Sequence, residues 1–403
     1  MTDRQAVSDW AADFDHMDAR WVEDPYSIWD DLRQRCPVAH TERYGGVYLP
    51  TRMADIRDVA YDTETFSNRR PVVRANPPQV ALPTPPISSD PPHHKPSRML
   101  LLPAFTPQAI APYIPVTRRI CNELLDKIGN APTCDAARDY AQHVPVRVIA
   151  SMLGVPETDG DLFRAWIHVM LEDTVRDSPD SAEKFVAVSR EMDSYFRSHV
   201  EKRASHDGPD LISFMMRARF DGRELTERHF YGTLRLLLIA GIDTTWSAIG
   251  SSLWHLARTP GDRRRLVAEP DLIPTAVEEF LRAYSPVTMA RQVRKDGEIA
   301  GCPVKAGEMV LLAFPAANRD PAVFPDADKV IIDRQDNRHA AFGLGIHRCA
   351  GSNLARMEMQ VALEEWLKRI PDFTLDESLP VAWSSGQVRG PRAVPIKIGS
   401  GAP

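Results

Sequence analysis

The stretch from Thr226 to Arg258 constrains the fold more than any other part of this chain. Between Arg235 and His255 it has only one charge, Asp243. It is framed by a capping threonine at one end and by Thr259-Pro260 at the other. At 1.5 Å per residue this predicts a helix roughly 50 Å long, enough to cross the whole molecule. A helix of this kind either spans a membrane or forms the axis of a core. An acid near the centre of a span is expensive, no second span exists in the sequence, and Met1 to Asp18 carries no apolar run of the signal-peptide kind. A core helix is the better reading. The net charge of −6 gives no footing for nucleic acid or anionic membranes.

The remaining chain organises around that helix. The first eighty residues mix short apolar runs with turns such as Tyr44-Gly45-Gly46-Val47-Tyr48, which predicts a small β-region. Prolines are dense from Pro71 to Pro92 and forbid regular helix there. From Pro107 onward the periodicity is helical, as in Ile120, Leu124, Leu125, Ile128 and in Val144, Val148, Met152. A helix after Pro274 contains Glu278, Glu279 and Arg282. A strand is expected at Met309–Phe314, then an irregular stretch to His339, then a last helix from just beyond Cys349 to about Arg369. The fold class is mainly α with small β-sheets (α+β). One large domain is expected over residues 1–403, with no fused reductase or ferredoxin domain.

The most informative segment is Phe342-Gly343-Leu344-Gly345-Ile346-His347-Arg348-Cys349-Ala350-Gly351. Its glycines allow tight turns and close approach to a flat ligand. A helix following Cys349 favours a thiolate through its N-terminal dipole, and Arg348 and Arg356 add positive charge. Such a thiolate is a strong, electron-donating iron ligand. Two other readings stand beside this one: a glycine-rich turn over a packed cysteine, and zinc, since His339, His347 and Cys349 lie close together. Structural zinc normally takes four ligands, and no further cysteine or nearby histidine completes the set. The other cysteines, Cys36, Cys121, Cys134 and Cys302, are scattered without a CxxC pair, as in a reducing cytoplasm.

Phe-Gly-x-Gly-x-His-x-Cys-x-Gly resembles the haem-binding signature of the cytochromes P-450 at every fixed position. Further motifs follow in that family's order from Asp90 onward. Glu279-Phe280-Leu281-Arg282 resembles its Glu-x-x-Arg motif, whose two side chains share a helix face. Asn318-Arg319-Asp320, Phe324-Pro325-Asp326 and Arg334 resemble the rest of that network. His94 and Arg98 resemble its His-x-x-x-Arg, which binds a haem propionate. Arg291 and His339 match two other propionate positions. Ala240-Gly241-Ile242-Asp243-Thr244-Thr245 resembles its Ala/Gly-Gly-x-Asp/Glu-Thr motif on the oxygen-activating helix. That hexapeptide is locally poor for helix. A threonine hydroxyl there can bond the carbonyl four residues back, and Gly241 removes a side chain that would block a flat cofactor.

The resemblance implies a triangular-prism fold, haem b on Cys349, and cofactor contacts from His94, Arg98, Ala240, Gly241, Arg291, His339, Phe342, Gly343, His347 and Gly351. It implies catalytic roles for Thr244, which hydrogen-bonds the oxygen species, and Asp243, which relays protons through water. Glu279 and Arg282 would form a structural network. The implied activity is monooxygenation: hydroxylation or O-dealkylation of a small to medium, largely apolar substrate. The implied pocket draws on Leu237, Val287, Thr288, Met289 and Val388 and on the loop from Arg69 to Ser89. In that loop Arg69, Arg70 and Arg74 raise the idea of a substrate carboxylate. No dinucleotide loop or iron–sulfur cysteine set is present. Electrons are therefore expected from a separate partner, which the resemblance implies is a ferredoxin or flavodoxin with an NAD(P)H reductase, docking near Arg348 and Arg356, in the cytoplasm. A peroxide-driven peroxygenase and a non-catalytic haem sensor remain as alternatives.

Overall fold

The computed structural model describes residues 6–74, 82–173, 180–203, 208–220 and 222–399. In chain order the elements that build the site are helix α1 (Met53–Tyr61), α2 (His94–Leu101), α3 (Tyr113–Ile128), α4 (His143–Leu153), α5 (Gly160–Leu171), α6 (Ser181–Glu201), α7 (Glu227–Arg258), α8 (Ile273–Ala283) and α9 (Ser352–Arg369). The strands are β1 (Val38–Thr41), β2 (Val47–Pro50), β3 (Phe66–Ser67), β4 (Thr288–Val293), β5 (Met309–Ala313) and β6 (Pro391–Ala393).

The axial helix forms as its sequence dictates. Thr226 caps α7, its hydroxyl accepting from the His229 amide at 3.3 Å. The helix runs 32 residues without interruption. It is long and apolar enough to cross a membrane by composition, yet 67% of its most apolar window is buried inside the protein. Helices α4, α5, α6 and α9 pack against it, and α3 and α8 lie against α9. This is the core-helix outcome: the apolar length is consumed by neighbouring helices.

The β-structure is small. Five strands order as β1-β2-β5-β4-β3, with β2 and β5 parallel and every other pair antiparallel. A three-stranded sheet joins Phe373–Leu375, Pro395–Ile398 and Thr133–Asp135, and β6 pairs with Ala382–Trp383. The expected strand at Met309–Phe314 is β5, ending one residue earlier. A mainly α architecture with minor sheets is therefore observed. Of the proline-dense stretch, residues 75–81 lie outside the described residues.

Candidate haem-thiolate site

The cysteine loop is shaped by two glycines. Gly343 and Gly345 adopt φ of 72° and 67°, the left-handed region that favours glycine. A side chain at Gly345 would also collide with the Ala60 carbonyl of α1. The Gly343 amide donates to the Ala340 carbonyl and the Cys349 amide to the Phe342 carbonyl, both at 2.8 Å. The loop thus closes on itself and presents Cys349 three residues before α9. Of the five cysteines, all free, Cys349 is the one with an exposed side chain. Yet the surrounding protein is dense enough that burial pushes its thiol up, against the Gly351 amide and the charges of Arg98, Arg348 and Arg356. A residue that is exposed yet whose thiol is desolvated suits a ligand position for a group bound inside the protein. The sequence led us to expect a depressed thiol; here desolvation outweighs the helix end and the arginines, and a bound metal ion would be what deprotonates it.

Four basic side chains converge beside this loop. His94 is 3% exposed and its Nε2 is buried with no hydrogen-bond partner in the protein. Its ring meets that of His347 edge-on, 4.3 Å between centroids. Arg291 is equally buried and burial pushes its guanidinium down to about 10. His347 is pushed down to about 2, first by burial and then by Arg291, His94 and Arg98. The nearby acid, Asp90, already accepts from the Ser67 hydroxyl at 2.6 Å and the Asn68 amide at 2.8 Å. Bases that depress one another inside a protein fit a ligand bearing carboxylates, and two propionates answer that requirement. The residues present therefore fit haem.

His339 departs from expectation. Its Nε2 meets Glu278 at 3.0 Å and its Nδ1 accepts from the Ala341 amide at 3.2 Å. Both nitrogens are committed, so this ring ties the loop to α8 instead of joining the basic cluster. Arg356 is similarly engaged. It bonds both oxygens of Glu278 and stacks over Phe342 at 4.4 Å. His347, assigned through the signature, is the histidine of the loop that joins His94. Asn68, which the sequence did not single out, holds its Nδ1 at 3.2 Å.

On α7 the exposure pattern marks one face. Ala240 is exposed and Gly241 and Thr244 are half-buried, with Leu236 and Ile239 also half-buried, on a helix most of whose middle is buried. The Thr244 hydroxyl donates to the Ala240 carbonyl at 3.0 Å, yet the helix stays continuous through residues 240–245. A Cβ at Gly241 would press on Ile149 of α4 at 3.3 Å, so the glycine lets these two helices pack closely. Asp243 is 1% exposed. Burial pushes its carboxyl above the usual range, opposed by Arg392. Arg392 and its second partner Glu172 were missed in the sequence. Neither lies within a motif, and 149 residues separate Asp243 from Arg392.

The expected structural network is present. Glu279 and Arg282 have no exposed surface and pair through two 2.8 Å hydrogen bonds. Arg282 also donates to the carbonyls of Asn318 and Ala327, and Glu279 accepts from Arg334, Asn337 and the Ile331 amide. Among the described residues no three His, Cys, Asp or Glu side chains gather as a metal held by protein alone requires, which removes the zinc reading.

The pocket candidates fall into two places. Val287 and Val388 form an isolated antiparallel bridge. Thr288 and Met289 begin β4, and the Thr288 amide donates to the Gln387 carbonyl at 2.9 Å. Leu237, 7% exposed, lies one turn before Ala240 on α7. In the Arg69–Ser89 loop, Arg69 is 74% exposed beside Asp90, while Arg74 stacks on Phe185 at 4.4 Å and is pushed down to about 10 by burial.

The comparisons with known proteins agree with this geometry. The family model for cytochrome P-450 matches residues 51–376. The probable cytochrome P-450 127A1 of Sinorhizobium fredii is 35% identical over 350 residues, 86% of this chain and 82% of that one. The mycinamicin IV hydroxylase/epoxidase of Micromonospora griseorubida is 35% identical over 383 residues, covering 91% and 94%. The crystal structure of CYP109E1 from Bacillus megaterium in complex with testosterone superposes with a TM-score of 0.86 at 32% identity, covering 94% of this chain and 98% of that one. The chain belongs to the cytochrome P-450 family of haem monooxygenases.

Proposed function

We propose that this chain is a ferredoxin-dependent (or flavodoxin-dependent) cytoplasmic hydroxylase of small to medium, largely apolar organic molecules, forming one haem domain. The observation that carries the reading is Cys349, exposed yet with a desolvated thiol, on the loop next to a basic cluster in which the buried His94 Nε2 has no hydrogen-bond partner. Haem b, when bound, supplies the electron-rich iron at which dioxygen is reduced and cleaved. Overall, one oxygen atom enters a substrate C–H bond and the other leaves as water, with two electrons and two protons consumed.

The protein's part is to hold and to move protons. Cys349 donates its sulfur. His94, Arg98, Arg291 and His347 hold the carboxylates, and Phe342, Gly343 and Gly351 shape the floor beneath. The Thr244 hydroxyl, parked on the Ala240 carbonyl, is free to turn and offer its proton at the exposed face of α7. Asp243, one residue away and buried, is the acid from which that proton is replaced. Leu237, Val287, Thr288, Met289 and Val388 orient an apolar substrate and keep water out. Two relatives support this substrate class: one is named a hydroxylase/epoxidase and one is solved with testosterone. The acid–threonine pair favours dioxygen over peroxide as oxidant and turnover over sensing.

The test is reconstitution with a ferredoxin, its reductase, NAD(P)H and labelled dioxygen, on substrates found by their Soret shift. Incorporation of one labelled atom per product supports the reading. Product formed only with hydrogen peroxide, or no turnover with any redox partner, would overturn it.

A further inference from the structure

Asp243 is not a solitary acid. The Arg392 guanidinium on β6 reaches it at 2.7 Å, while its Nε donates to Glu172 at 2.8 Å and its Nη1 to the Ser247 hydroxyl at 3.2 Å. The indole of Trp246 lies 4.2 Å from the same guanidinium. Gly390, two residues before Arg392, is pressed so closely on Ser247 that any side chain would overlap it. Strand β6 is therefore fixed against α7 at this point. Glu172 caps the C-terminal end of α5 and is itself buried. His168, one turn earlier and half exposed, stands 3.5 Å from it.

The charge balance is unusual. Two buried carboxylates, from different helices, share one guanidinium. Arg392, Glu172 and His168 are the charged groups that act most strongly on Asp243, and Asp173 lies 3.6 Å from His168. Whatever part of the guanidinium Glu172 holds is withheld from Asp243, and the shared cation joins the end of α5 to an acid on α7.

We infer that Arg392 is the positioning residue of Asp243, and that Glu172 competes for it and so tunes how readily Asp243 holds and gives up a proton. This rests on Asp243 as the relaying acid, but the test reads the carboxyl itself. Removing the cation must favour the protonated acid; removing the competing carboxylate must favour the ionised one. A merely packing role would not give shifts of opposite sign, and competition through the guanidinium further requires that Glu172→Gln lower the midpoint less in an Arg392→Gln background than in the parent.

The experiment is a pH titration of the protonated Asp243 carboxyl in the holoenzyme by infrared difference spectroscopy, the band being assigned by its loss in Asp243→Asn. Arg392→Gln is expected to raise the midpoint by about one pH unit or more, and Glu172→Gln to lower it. Arg392→Lys, which keeps the charge, falls between Arg392→Gln and the parent. Shifts in the same direction, or an unmoved midpoint in Glu172→Gln, overturn the inference. Should Arg392→Gln fail to fold, Glu172→Gln and Arg392→Lys still decide it. If Asp243→Asn proves fully coupled in turnover, the reading of Asp243 fails while the titration still judges the pairing.

Discussion

Glu278 on α8 grips the Arg356 guanidinium of α9 with both carboxylate oxygens, at 2.6 and 2.8 Å, across 78 residues of sequence. Burial alone would push this carboxyl up, but Arg356 and His339 together bring it to about 2, against an ordinary value of 4.5. A depressed carboxylate stabilises the fold above its unfolded value, and that stability is lost as pH falls toward the folded value. Between about pH 6 and about pH 3 the parent is expected to lose about 2 kcal/mol more than Glu278→Gln. Denaturant midpoints at the two pH values check this; equal acid sensitivity would remove Glu278 as the cause.

The Glu279–Arg282 pair predicts a different asymmetry. Both side chains are fully enclosed, so removing one partner leaves the other charged and buried. Arg282→Ala should cost about 3–5 kcal/mol and yield little haem-loaded protein. Because Glu279 still has Arg334 at 3.1 Å, the loss should fall at the lower end of that range. Equilibrium unfolding of purified protein measures it, and a loss under about 1 kcal/mol would contradict a buried structural pair.

Thr244→Ala is expected to fold, take up haem and show the substrate-induced Soret shift unchanged. Product per NAD(P)H consumed should fall about tenfold or more, with the difference recovered as hydrogen peroxide. Thr244→Ser, which keeps the hydroxyl that bonds the Ala240 carbonyl, should restore most of the coupling. Unchanged coupling in the alanine variant would remove Thr244 from proton delivery.

Arg291→Leu removes one of the bases that depress His347. Loss of one charge-assisted bond, worth about 1.5–3 kcal/mol, should speed haem transfer to an acceptor apoprotein roughly tenfold or more. A parallel His339→Ala variant should loosen the loop's tie to Glu278 without removing a contact to the haem propionates. Equal haem release from the two variants would contradict the separation of His339 from the basic cluster.

What the sequence disclosed and what it hid follow physical lines. Helix α7 was legible because capping, length and apolarity are local properties, and its 32 residues begin one position after Thr226. The cysteine loop and the Glu279–Arg282 pair were legible because short spacing carries their geometry. His339 was misjudged because ring partners are chosen in three dimensions: Glu278, 61 residues away, takes the nitrogen that a propionate would need. The packing of Gly241 on α4 was not legible because which way an absent side chain would point depends on helix rotation. Arg392 and Glu172 left no local trace, since they meet Asp243 only when β6 and the end of α5 close on α7.

Every role assigned above depends on Cys349 as the axial thiolate. The most direct test is the reduced, carbon monoxide-bound spectrum of Cys349→Ala beside the parent. The parent is expected to show the strongly red-shifted Soret band that a thiolate ligand produces, and the variant to lose it even where haem is retained. Retention of that band in Cys349→Ala would show that another group donates to the iron and would contradict the account.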